Sequence, residues 1–166
     1  MEDRFEKTLA YRNKNPLNIR YVNSVKWQGQ KGNGGGFVEF LSFSWGYRAA
    51  VRILRNYHRR GLKTISQIIS TWAPRSENNT VAYIKTVLDY MNGVFRTPSQ
   101  GGLEDYTAES VINLKDREEV KNLLLAMSKV EMGATTAAQQ HFLRHYAYIG
   151  YDMAVTTIGF FNGIKY

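Results

Sequence analysis

Asp116-Arg117-Glu118-Glu119-Val120-Lys121-Asn122-Leu123-Leu124-Leu125-Ala126-Met127-Ser128-Lys129-Val130-Glu131-Met132-Gly133 is the stretch whose reading decides the fold class. Asp116 is an N-cap residue by type, and Glu118 and Glu119 fall in the first turn, where the positive end of the helix dipole favours acids. Val120, Leu124 and Met127 recur at spacings of four and three, the stripe of a helix laid on a core. Gly133 supplies the stop. The next member of that stripe is position 131, and it is a glutamate. At about 100° per residue, Glu131 lies within roughly 20° of Val120 on the helical wheel. Burial and the negative end of the dipole both raise a carboxyl pKa, and a glutamic acid that donates a proton at neutral pH needs such a place. The plain alternative is a last turn that frays at Met132-Gly133 and lets Glu131 face water.

Helical periodicity extends to both sides of this segment. From Gly46 onward, Ala49, Ile53 and Tyr57 fall four apart, with Ala50 and Leu54 beside them and Gly61 as the terminator. Ile65, Ile68 and Ile69 mark a short helix stopped by Pro74. Asn78 or Asn79 can cap another, running through Ala82, Tyr83, Val87 and Met91 to Gly93. Residues 94–110, with Pro98, Gly101 and Gly102, read as a long connection, and a last helix starts at about Thr136. Residues 1–10 read as a short helix or ordered arm. Between them the signal changes to short strands: Ile19–Val22, Val25–Gln28 and Phe37–Phe40, with the five glycines between Gly29 and Gly36 forming a mobile hairpin loop. The expected fold is therefore mainly α (α+β), one domain over residues 1–166, with a small antiparallel β-lobe at 17–43 and a helical lobe at 46–166.

The chain has 166 residues, enough for one real core, with 22 Lys and Arg against 14 acids and a net charge of +8. That balance points to an anionic partner: nucleic acid, a membrane surface or an acidic wall polymer. No cysteine is present, which excludes disulfide scaffolds, thiolate metal sites and Cys nucleophiles. His141 and His145 stand four apart without the adjacent Glu of a zinc-protease helix, so no metal and no other cofactor is expected. The N-terminus leads into no apolar run and is no secretory signal. Tyr146 to Phe161 carries Asp152 and is too short to span a membrane, which makes it core.

An enzyme made from these residues would work with carboxylates. Besides Glu131, Glu39 shares a strand face with Phe37 just after the glycine run, and Glu77 lies in Trp72-Ala73-Pro74-Arg75-Ser76-Glu77-Asn78-Asn79-Thr80. The structural readings are an exposed edge charge for Glu39 and first-turn dipole pairing for Glu77. Trp27 and Trp72 can stack on sugar rings or serve the core. Arg48, Arg52, Arg55 and Arg59 fall on one helix face, either a solvated basic ridge or a contact to an anionic polymer.

Three segments together carry a resemblance: Arg12-Asn13-Lys14-Asn15-Pro16-Leu17-Asn18-Ile19-Arg20, Trp72 to Thr80 continuing to Tyr83-Ile84, and Ala126 to Gly133. With Trp27-Gln28-Gly29, Phe37 to Phe40 and Gly46-Tyr47-Arg48-Ala49 between them, their order resembles a family of phage and prophage virion proteins of lysozyme-like, wall-degrading character. The succession after Pro16 is similar to the stretch that follows the catalytic Glu in flagellar and autolysin-type glucosaminidases, where the Glu comes first. The resemblance implies a lysozyme-like domain of circularly permuted order. Glu131 takes the catalytic place, with residues 16–43 building the β-lobe beside it. Beside the resemblance, Glu39 and Glu77 stand as further candidate acids, and Trp27, Trp72, Asn78, Tyr83 and Arg48 as candidate substrate contacts. Leu17 stands where the family pattern has Gly, and Met132 where it has Asn. The function implied is a peptidoglycan glycosidase or lytic transglycosylase, made in the bacterial cytoplasm or carried in the virion and acting on wall glycan strands. The alternatives are an inactive virion protein that contacts other virion proteins, and, ranked last, a basic nucleic-acid-binding module.

Overall fold

A computed structural model describes residues 4–93 and 105–166. Two single turns, α1 (Arg4–Lys7) and α2 (Leu9–Arg12), lead into an irregular stretch and then the strand pair β1 (Gln30–Gly34) and β2 (Phe37–Phe40). Five longer helices follow: α3 (Phe43–Arg59), α4 (Ile65–Trp72), α5 (Thr80–Gly93), α6 (Arg117–Met132) and α7 (Ala137–Val155). The protein is mainly helical with a small antiparallel sheet near the N-terminus, the class read from the sequence.

α6 is the centre. Asp116 caps it by accepting from the Glu119 amide at 3.1 Å, and Gly133 ends it in the left-handed region at φ 72°. Every residue from Glu119 to Ser128 is buried, so this helix is enclosed on all sides and not laid on a core by one stripe. α5 and α7 pack on it. α7 opens with a capping box between Thr136 and Gln139 and lies against α3 along much of its length. The two helices touch backbone to backbone at Gly150, where a Cβ would stand 2.6 Å from Tyr47 Cβ and 2.7 Å from the Ser44 carbonyl oxygen. Only glycine permits that approach. The Tyr47 hydroxyl reaches on to the Ser128 hydroxyl at 2.8 Å, tying α3 to α6 in the core.

The sheet differs from the sequence reading. Two strands form, not three. The glycine run is no free loop: residues 30–34 are β1, turned into β2 at Gly35 and Gly36, both at positive φ. The segment carries no apolar side chain, and its Gln30, Gly32, Asn33 and Gly34 pair with β2 while Lys31 meets Glu39 at 3.1 Å. Val25–Gln28 forms no strand, and Ile19–Val22 contributes only one bridge, Arg20 to Phe37. The Tyr21 amide donates to the Gly36 carbonyl and the Val38 amide to the Ile19 carbonyl, both at 2.9 Å. After Tyr21 the chain turns, with the Val25 amide donating to the Val22 carbonyl at 3.0 Å, and pairs no further. The helical part begins at Phe43, three residues before the expected boundary at 46.

Two further corrections concern helices. The arginine ridge of α3 is not simply solvated. Arg48 is buried, Arg55 stacks over the Phe160 ring at 5.0 Å, and Arg59 donates to the Asn162 carbonyl. The C-terminal turns fold back over that face. The stretch from Tyr146 to Phe161 is core only in part: α7 ends at Val155 and Ile158 is fully exposed, while Phe160 is buried. Of the expected connection 94–110, residues 94–104 lie outside the described residues. Its continuation carries Ile112 and Leu114 into the core without regular structure.

Candidate active site

The asparagines of residues 13–18 build one wall of a cleft. Asn15 is fully buried. Its Oδ1 accepts from the Ile19 amide, and its Nδ2 donates to the carbonyls of Ile19 and Val38, all at 2.9 Å. Asn13 Nδ2 donates to the Gly34 carbonyl at 2.9 Å. Asn18 sits at φ 52°, a conformation Asn tolerates better than most residues, and its Nδ2 donates to the Glu131 carbonyl at 2.7 Å. That carbonyl is among the last four of α6, which the helix itself leaves unpaired. A side chain 113 positions away therefore caps the helix and fixes the β-segment beside its end.

The cleft between them has a volume of about 360 Å³. Asn18, Ile19, Arg20, Trp27 and Phe37 line one side, Ile53, Tyr57, Trp72 and Asn78 the other, and Glu131 lies in it. Glu131 is the one carboxylate among the described residues lining this cleft. The Tyr83 hydroxyl donates to its Oε2 at 3.1 Å. Burial pushes the Glu131 carboxyl above the ordinary range, against the opposing pull of hydrogen bonds from Tyr83, Asn18 and Trp72 and of the Arg20 charge. Burial, reinforced by the neighbouring Glu131, holds the Tyr83 phenol well above its usual pKa, so it stays a neutral donor. The helix does not fray: α6 continues through Met132 and keeps Glu131 turned inward.

The structure thus brings together Glu131, Trp27, Trp72, Asn78 and Tyr83. Tyr83 joins them through its bond to Glu131 and not as part of the cleft lining, and Glu39, Glu77 and Arg48 are not in that lining either. Glu39 lies on the same strand face as Phe37, but its Oε1 pairs with Lys31 Nζ at 3.1 Å. Glu77 pairs with Arg20 at 2.9 Å, an exposed contact linking the Asn18–Arg20 wall to the α4–α5 turn. Arg48 is buried on α3, beside the crossing with α7. Asn18, Arg20 and Tyr57 were not among the sequence candidates. The first two stand in the RNKNPLNIR segment, whose three asparagines and terminal arginine were the available signal. Tyr57 looked like a core member of its helix stripe, and it is half-buried against Trp72 with ring centroids 6.3 Å apart.

No protein-family profile matches the chain. It is 37% identical over 113 residues to Protein P5 of Pseudoalteromonas phage PM2, an alignment that covers 65% of this chain and 68% of that protein. The chain belongs to the family of that phage protein. No helix among the described residues is long and apolar enough to cross a membrane.

Proposed function

We propose that this member of the Protein P5 family cleaves peptidoglycan glycan strands, with Glu131 as general acid. One observation carries the reading: a carboxyl with a burial-raised pKa, held by a phenol donor, stands in a cleft walled by Trp27 and Trp72. Indole faces suit the apolar faces of sugar rings, and Asn18 and Asn78 offer amides to hydroxyl and acetamido groups. The excess of basic residues draws the protein toward an anionic wall. On this reading residues 1–166 form one lysozyme-like domain of permuted order. The strand segment precedes the acid-bearing helix in sequence and stands beside its end in space.

The lone carboxylate favours a route that needs no second acid. Glu131 gives its proton to the bridging oxygen as the C1–O bond breaks and its electron pair moves to that oxygen. The acetamido oxygen of the same sugar closes on C1. The Glu131 carboxylate then takes the proton of the hydroxyl that displaces it, from water or from the sugar's own C6 hydroxyl. Either hydroxyl restores the acid, and the product distinguishes hydrolysis from transglycosylation.

The test is a zymogram on purified peptidoglycan with wild type and Glu131→Gln, followed by mass spectrometry of released fragments. Clearing by wild type and its loss in the variant support the proposal. Fragments with anhydro ends mark transglycosylation. A folded wild type that clears nothing sinks the enzymatic reading and leaves the virion interaction protein.

A further inference from the structure

The positive charge of the chain is confined. Between Glu39 and Glu77 stand seven Lys and Arg and no acid, and residues 153–166 hold Lys165 and no acid. Without those eight the chain carries 14 basic and 14 acidic residues, so they account for the whole net charge of +8. The fold gathers five of them, because residues 160–166 run along the second half of α3. Arg55 lies over the Phe160 ring at 5.0 Å, and Arg59 Nε donates to the Asn162 carbonyl at 3.2 Å. Lys63 Nζ reaches the Lys165 carbonyl and stands 5.8 Å from the Tyr166 ring centre. Arg52 precedes Arg55 on the same ridge, and burial together with the charges of Arg52 and Arg59 lowers the Arg55 pKa. Lys115, on the approach to α6, adds a sixth cation 5.9 Å from the Phe161 ring. None of the six pairs with a carboxylate among the described residues. The acids closest to Tyr151 and Tyr166 are engaged: Asp152 holds Arg117 at 2.9 Å, Asp116 caps α6, and Glu119 accepts from the Tyr106 hydroxyl at 2.7 Å.

Like charges held together without counter-charges repel, and a docked anion relieves that repulsion. The cations form a row. Arg52 to Arg59 spans about 10 Å of α3, and Lys63 and Lys165 prolong it. A row of that length matches successive charges of one polymer better than a single small ion. Guanidinium forks meet phosphate oxygens in pairs. Flat rings stand among the cations, with Tyr166 55% exposed and Phe161 half-buried. We infer that this face binds single-stranded nucleic acid, with phosphates on the cations and a base against Tyr166. An anionic bilayer offers phosphates too, but docking there takes an apolar face, and the C-terminal turns expose one aliphatic side chain, Ile158. Ile53 and Tyr57, which line the Glu131 cleft, lie about 150° round α3 from Arg52, Arg55 and Arg59. Binding on this face is therefore independent of the glycosidase reading.

Fluorescence anisotropy of a labelled DNA single strand of about 20 nucleotides, titrated with the whole chain, tests it. The Kd is expected at about 100 μM or tighter near physiological salt. Four phosphate contacts predict an affinity loss of about fiftyfold between about 50 and 200 mM salt. Arg59→Ala and Lys165→Ala, both at exposed positions that leave the fold intact, should each weaken binding about threefold or more and flatten the salt dependence. Lys26→Ala removes the same charge from an exposed site outside this face and should change nothing. The same strand in a duplex, its bases stacked away from Tyr166, should bind more weakly. No binding at low salt, an affinity that ignores salt, an equal loss in Lys26→Ala, or a duplex bound as tightly each overturns the inference. So does capture by phosphatidylglycerol vesicles without binding of the oligonucleotide, which would make the partner a bilayer.

Discussion

Residues 13–20 and helix α6 are both deeply set, yet side-chain amides hold the first and apolar packing holds the second. Asn13, Asn15 and Asn18 together place four donated hydrogen bonds on backbone carbonyls between Ile19 and Glu131. α6 instead buries Leu123, Leu124, Leu125, Ala126 and Met127. The difference follows from the backbone. A helix satisfies its own peptide groups and leaves its side chains free to pack. An irregular segment pressed against a short sheet has unpaired amides and carbonyls, and buried ones must find side-chain partners. The cleft wall is therefore specified by direction-dependent bonds and the helical body by volume. The candidate acid stands where the two meet: its side chain is placed by the helix and its main-chain carbonyl is tied to the wall.

The largest effect is expected at that junction. Glu131→Gln keeps size and one acceptor oxygen but loses the titrating proton, and wall lysis should fall on the order of 10²–10⁴-fold with the fold retained. A fully lytic, folded variant would remove Glu131 from the mechanism.

The contrast between amides and packing can be broken by matched swaps. Asn15→Leu preserves approximate volume but strands the Ile19 amide and takes one donor from each of the Ile19 and Val38 carbonyls, and should cost about 2–4 kcal/mol in denaturant unfolding. Leu124→Met, equally conservative in volume, should cost less than about 1.5 kcal/mol. Similar losses in the two variants would mean the wall is packed like the body.

Titration separates the regions with opposite signs. The raised carboxyl of Glu131 favours the neutral form in the folded state, so its contribution is present at acid pH and is lost as pH rises through the folded pKa. The Tm of Glu131→Gln relative to wild type should therefore climb between acid and neutral pH. In the body, His58 is buried, with Nδ1 2.9 Å from the Leu54 carbonyl oxygen and Nε2 2.8 Å from that of Ile112. Burial lowers its pKa, against the pull of those two carbonyls, and Lys63 adds to the lowering. Its contribution is present above the ordinary histidine range and is lost as pH falls through the folded pKa. His58→Gln should flatten the acid limb of the stability curve, and an unchanged limb would remove His58 as its cause.

The smallest effect belongs to the exposed pair that links the two walls. Arg20→Ala should change stability by less than about 1 kcal/mol, and the difference should shrink further in high salt. A larger, salt-independent loss would mean that the arginine stem packs against the cleft.

Local chemistry made the helices legible. Asp116, Thr136, Gly61 and Gly133 act at the termini their residue types predict, because caps and stops involve atoms only a few positions apart. Glu131 was legible as a candidate for the same reason, since three to four residues return a side chain to one helix face. The strand pattern was less so. A period of two at Val25–Gln28 promised a strand, but a strand exists only if a partner edge is present. β1 paired instead, through Gln30, Gly32, Asn33 and Gly34, a segment with no apolar residue to signal a strand.

The sequence by itself determined the helical class, the helix ends at Gly61, Asp116, Gly133 and Thr136, the basic character and a candidate carboxylate on the apolar stripe of a helix. Only the tertiary structure decided that Trp27, Trp72 and Asn78 share a cleft with that carboxylate, and that Glu39 and Arg48 do not. It alone turned the arginine ridge under the C-terminal turns and brought Asn18 to the end of α6. The physical reason is range. Caps, periods and dipoles act over one or two turns of chain. A cleft is made by bonds such as Asn18 to Glu131, across 113 residues, whose existence depends on how every intervening element packs.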